Sequence, residues 1–141
     1  MQLIFYKTDD LFAMLIMVLV KGCKQGLTFN VFFQTDEECQ AFSRAMWNSS
    51  SSLPHGLCVD NFYSMQPILI TTDDIFSNFS DAMKKDCALI VAHDSFEKLK
   101  QTIHNWQKVC FVNASHKVID EYKNIPHAIW EYKNKVWVEA K

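Results

Sequence analysis

Apolar and polar positions divide the chain into runs of two kinds. Gln2 to Tyr6 is short and mostly apolar, as expected of a buried strand, while Leu11 to Val20 (LFAMLIMVLV) is apolar throughout and of helical length. Thr8 and Asp9 offer side-chain caps for that helix, and Gly22 or Gly26 offers its stop. Leu27 to Phe33 (LTFNVFF), rich in aromatic and β-branched residues, predicts a second strand. Thr35-x-x-Glu38 then forms a capping box for a helix reaching about Trp47, ended by the serines at 49 to 52.

The middle of the chain is less regular. A loop from Ser49 to about Gln66 leads to a strand at Pro67 to Thr71, and Asp73 to Asp86 reads as loop with a short helix. Cys87 to Ala92 (CALIVA) is continuously apolar, as in a parallel strand covered on both faces. Asp94-x-x-Glu97 caps a helix to about Trp106, and Lys108 to Val112 forms a further strand. Ser115 starts a last helix through Tyr122 or Lys123, and Pro126 blocks its continuation. His127 to Glu139 alternates like a strand in places. Strands alternating with helices predict one α/β domain over residues 1–141, with a mostly parallel sheet and no internal repeat or linker.

Composition changes this picture little. The 141 residues are 49% hydrophobic and 21% charged, which suits a single core rather than a disordered chain. Charge matters more. A net −2 gives no global attraction to a phosphate backbone, so contact with DNA would be local or indirect, through a partner. The Leu11 to Val20 run is shorter than the ~20 residues a membrane span needs. It follows Asp9 and Asp10, with Lys7 as the one preceding cation, so a buried helix in a cytoplasmic protein is expected. Five scattered cysteines with no Cys-x-x-Cys pair read as free thiols.

The strand–helix order suggests a nucleotide-binding type of topology, yet the chemistry that usually accompanies it is missing. Gly22, Gly26 and Gly56 are the three glycines, and none builds a phosphate-cradling loop after a strand. The serines near His55 read as a solvated loop rather than a nucleophile and base. The histidines at 55, 93, 104, 116 and 127 lack the i, i+4 pairing of a metal site. Asp73-Asp74, after a strand end, reads as a solvated loop rather than as a Mg²⁺ site. No enzyme emerges, and neither cofactor nor metal is expected.

One constellation remains. Ile119, Tyr122 and Lys123 are three and four residues apart on the last helix and share a face. An apolar patch edged by ammonium groups suits an acidic peptide ending in an apolar side chain. The same pattern also fits Ile119 and Tyr122 packing on the sheet with their lysines solvated, and composition alone favours that packing.

Several segments, taken in order, resemble the family of DNA polymerase III chi subunits. Ile4-Phe5-Tyr6 resembles its opening strand, and Ala45-Met46-Trp47 the Leu-Trp that ends its second helix. Leu53-Pro54-His55-Gly56 is similar to its Phe-[Leu/Val]-Pro-His element, and Gln66 to Ile70 to the strand that follows. Tyr122-Lys123, His127, Trp130 to Tyr132 and Trp137 resemble its closing aromatic and lysine series.

The resemblance implies a three-layer α/β/α domain and a non-catalytic accessory role in replication, beside the clamp loader. It implies binding of the acidic, phenylalanine-ending C-terminal tail of single-stranded-DNA-binding protein, with Tyr122 and Lys123 at the tail-binding positions. This chain has Ile119 where the family often has arginine, and isoleucine cannot hold a carboxylate bidentately. Lys117, Lys133 or Lys135 would supply charge instead, and Trp137 belongs to the same expected site. Tail binding should therefore be weak and salt-sensitive. A second surface, at Trp47, Leu53, Pro54 and His55, is where a psi subunit or other clamp-loader component would dock. Ser52 stands there in place of the family's aromatic. A helicase sharing that surface, and the oligomeric state, stay open. The alternative function is an enzyme or small-ligand binder on a degenerate nucleotide-binding fold.

Overall fold

The structure, a computed structural model, describes residues 2–49, 56–57 (backbone alone), 68–72, 88–92, 106–133 and 136–139. The described elements run β1 (Gln2–Thr8), α1 (Leu11–Lys24), β2 (Phe29–Phe33), α2 (Asp36–Trp47), β3 (Gly56–Leu57) and β4 (Ile68–Thr72). They continue with β5 (Ala88–Val91), β6 (Lys108–Val112), α3 (His116–Tyr122), β7 (His127–Lys133) and β8 (Val136–Glu139).

The eight described strands form one sheet in the order β3-β4-β2-β5-β6-β1-β7-β8. Seven run parallel, and β8 pairs antiparallel with β7. Every residue of β2, β4 and β5 is buried, which explains their unbroken apolar sequence. α1 and α2 pack on one face of the sheet, where Met14, Leu15, Leu19, Phe42 and Met46 meet Val31, Phe33 and Ile90. α3 packs on the other, where Val118 and Tyr122 join Phe5, Phe111 and Trp106. The result is the expected three-layer α/β/α arrangement.

The helix ends follow local chemistry, with one change from expectation. Asp10, rather than Thr8 or Asp9, caps α1, its carboxylate accepting from the Ala13 N–H at 3.3 Å. The Thr8 hydroxyl instead accepts from the Asp10 N–H at 3.0 Å, closing the turn before the cap. At its other end α1 finishes in a Schellman arrangement. The Leu27 N–H donates to the Gly22 carbonyl and the Gly26 N–H to the Cys23 carbonyl, both at 3.0 Å. Gly26, at φ +82°, is the left-handed residue this turn requires. Gly22 has a different role, because a Cβ there would lie 2.2 Å from Phe29 Cζ. Its missing side chain lets α1 approach β2.

α2 opens with Thr35 accepting from the Glu38 N–H at 3.2 Å and donating to the Glu38 carboxylate at 3.2 Å. Ser115 caps α3 in the same way, accepting from the Val118 N–H. Phe12, Phe33 and Phe42 form an aromatic triangle between α1, β2 and α2, with centroids 5.2–6.2 Å apart.

The strands differ from expectation mainly at their ends and in the tail. β1 continues to Thr8, two residues past Tyr6, because its far end pairs with β7 up to Tyr132. The tail forms the hairpin β7–β8, and β3 is a two-residue strand inside the expected loop. The helix expected from Asp94, the Asp73-Asp74 pair and the Leu53 to His55 element lie outside the described residues.

Candidate functional site

α3 carries the residues expected to hold a peptide tail, and its packing divides them. Tyr122 is 5% exposed, with its ring stacked on Phe111 at 5.3 Å and 27°. Phe111 in turn stacks on Phe5 at 5.6 Å, so the Tyr122 ring extends an aromatic column built on the sheet. Ile119 is half-buried against the same core. The packing reading of these two side chains is thus the one the structure adopts, and Tyr122 presents little of its ring to solvent. Lys117 and Lys123 are exposed. Lys123 Nζ lies 4.0 Å from an Asp120 carboxylate oxygen, with both side chains more than half exposed. Such a pair holds weakly, at about 0.2–1 kcal/mol, and exchanges readily for another carboxylate.

Strand alternation places the remaining expected residues. On β7, Ile129 faces the core under α3, whereas Trp130 and Tyr132 face the core under α1 and α2. Lys133, exposed and in the same alternation as Ile129, therefore shares a face with α3. Trp137 is directly opposite Tyr132 in the β7–β8 pairing and packs on Tyr132 and Tyr6. It lies across the sheet from Tyr122. The structure thus gathers Lys117, Ile119, Lys123 and Lys133 on one side and separates Trp137 from them.

Trp47, at the end of α2, is 56% exposed, the most exposed tryptophan among the described residues. Its apolar surface lies where the chain leaves α2 for Leu53, Pro54 and His55, which fall outside the described residues. A large exposed aromatic at a helix end is the kind of side chain that anchors an interface.

The carboxyl ends of β1 and β6, on the edge of the sheet where α/β folds usually hold ligands, are tied to each other. At the end of β1 the Thr8 N–H donates to the Asn113 side-chain oxygen at 2.9 Å, and the Asn113 N–H donates to the Tyr6 carbonyl at 2.8 Å. Asn113 adopts φ 53°, a left-handed conformation asparagine tolerates. The amino end of α1 follows Asp9 and Asp10, whose carboxylates repel phosphate. Among the described residues no group of three or more His, Cys, Asp or Glu could hold a metal ion. No described helix is long and apolar enough to cross a membrane.

Sequence reasoning missed an aromatic cluster on the opposite face, where Tyr6, Trp130 and Trp137 gather beside α1. The signal lay in the alternation of β7, but the sheet order that puts β1 beside the tail was not readable from it.

A comparison with curated proteins gave no match. Residues 1–124 match the sequence model of a protein family described as the DNA polymerase III chi subunit, HolC. That match runs from β1 through α3, and the fold just described is the one the resemblance implied. The chain belongs to the DNA polymerase III chi subunit (HolC) family.

Proposed function

We propose that the chain is a non-catalytic accessory subunit of the DNA polymerase III holoenzyme, working in the cytoplasm. On this reading it binds the acidic C-terminal tail of single-stranded-DNA-binding protein and reaches DNA only indirectly. The observation that carries the proposal is the outer face of α3. Lys123 is exposed beside the half-buried Ile119, one turn away on the same face, and Lys117 is exposed further round a helix anchored by Tyr122. Lysine ammonium groups there pair with the tail's carboxylates, and Ile119 offers apolar surface to its terminal side chain. Lys133 adds charge from β7. Trp137 has no part in this site, since the sheet stands between it and α3. Without an arginine fork and with Asp120 beside Lys123, the affinity is micromolar or poorer.

The exposed Trp47 supports a second contact, with a psi subunit or another clamp-loader component. Binding of a fluorescent tail peptide to wild type and Lys123→Glu tests the first site, and equal affinities would refute it. Pull-down of clamp-loader proteins by wild type and Trp47→Ala tests the second, and equal recovery would refute that.

A further inference from the structure

Across the sheet from α3, a cavity of about 520 Å³ opens between the C-terminal half of α1 and the strands beside it. That volume falls within the range of about 300–1,000 Å³ typical of small-molecule sites. Tyr6, Trp130 and Trp137 line it, buried Cys110 lies at its base, and Lys21 and Lys108 border it. The aromatic wall is held in place. Trp137 packs between Tyr6 at 5.2 Å and Tyr132 at 5.0 Å, and Tyr6 is hydrogen-bonded to Cys110.

The charged side chains that line it have one sign. Burial pushes the Cys110 thiol up to about 11, against the opposing pull of the Lys108 ammonium. Burial also raises the Tyr6 hydroxyl above its ordinary range, so both groups are neutral at pH 7. Among the described residues the lining holds no carboxylate. The nearby Gly22 and Cys23 carbonyls at the end of α1 accept from the turn's own N–H groups and present no bare acceptor to an anion. The charged side chains lining the cavity are thus the two lysines, with the Glu139 carboxylate beside it, opposite Trp130 in the β7–β8 pairing. The lysines are single ammonium groups, without the arginine fork or run of free backbone amides that cradles a phosphate.

We propose that this cavity binds a small aromatic carboxylate, its ring against Trp130 and Trp137 and its carboxylate between Lys21 and Lys108. Trp130 and Trp137 lie beyond residues 1–124, the part of the chain matched by the family model. The site is independent of tail binding on α3.

The test is titration of the full chain with 2-naphthoate and with its neutral counterpart 2-naphthylmethanol, followed by calorimetry and by the tryptophan indole N–H resonances. The chain has four tryptophans, which provide an internal control. The signals of Trp130 and Trp137 are expected to shift while those of Trp47 and Trp106 stay. Naphthoate should bind at least about fivefold tighter than the alcohol. The Lys21→Gln/Lys108→Gln double variant should remove that preference while leaving alcohol binding unchanged. Lys123→Glu, across the sheet, should alter neither. No shift at millimolar naphthoate, shifts shared by all four indoles, or a preference retained in the double variant would each overturn the proposal.

Discussion

The Tyr122 ring stacks on Phe111 with centroids 5.3 Å apart and planes 27° from parallel, so α3 offers its lysines rather than its aromatic ring to solvent. Anchoring and recognition are divided between neighbouring residues, Tyr122 and Lys123, and the two substitutions should have separable effects. Tyr122→Ala empties a core site and should cost about 3–5 kcal/mol of stability, read from urea denaturation. Tyr122→Phe keeps the stack and should lose much less than Tyr122→Ala.

Lys123 sits within reach of Asp120, so a bound acidic peptide competes with an internal carboxylate. Lys123→Glu should weaken tail-peptide binding about fivefold or more, whereas Asp120→Asn should strengthen it about twofold, with little change in melting temperature. Raising salt from about 0.1 M to 1 M shortens the screening length from about 10 Å to 3 Å and should weaken wild-type binding severalfold. Fluorescence anisotropy of a labelled peptide measures all three.

Gly22 and Gly26 serve opposite needs only four residues apart. Gly22→Ala introduces a Cβ 2.2 Å from Phe29 Cζ and should destabilise by about 1–3 kcal/mol through overpacking. Gly26→Ala meets no atom within 4 Å but must adopt φ +82°, at about 1–2 kcal/mol. Gly26→Asn should recover part of that loss, because asparagine tolerates the left-handed turn, whereas Gly22→Asn should be worse than Gly22→Ala. Thermal melts of the four variants check this.

Alkaline pH should loosen the fold through groups that stay protonated when buried. Cys110 has its thiol raised from 9.0 to about 11 in the native state. Between those values the unfolded chain releases a proton that the native chain keeps, so stability is full below pH 9 and falls as pH rises toward 11. Tyr6, also raised, extends the fall from its ordinary 10.0 upward. Denaturant midpoints taken from pH 8 to 11 should decrease, and Cys110→Ala should flatten the lower part of the curve. At pH 8 Cys110 should also react with iodoacetamide far more slowly than half-buried Cys23.

Local signals read well from the sequence where one residue type has one job. Thr35 and Glu38 announced α2, Ser115 announced α3, and the runs around Val31, Ile70 and Ile90 announced strands, the last of them as buried on both faces. Two weak signals lost to neighbours. Asp10 outcompeted Thr8 and Asp9 as a cap because the Thr8 hydroxyl was already engaged by the Asp10 backbone. On α3 the i, i+3 spacing of Ile119 and Tyr122 showed that they share a face, but not which way the face points. That direction depends on Phe5 and Phe111, more than a hundred residues apart in sequence and stacked in space. The grouping of Trp137 with Tyr122 failed for the same reason, since a side of the sheet is a property of strand order.

β1 is synthesised before the other described strands, yet it lies between β6 and β7, both drawn from the last third of the sequence. As the polypeptide emerges from the ribosome, β1 must therefore wait for partners more than 100 residues away, including the Asn113 side chain that fastens Thr8. Until then both of its edges are open, in a segment as sticky as Leu3-Ile4-Phe5. Long-range closure of this kind slows folding and exposes nascent chains to mispairing. A ribosome stalled before β6 should thus carry a chain with this interior strand unsheltered, a natural client for a holding chaperone.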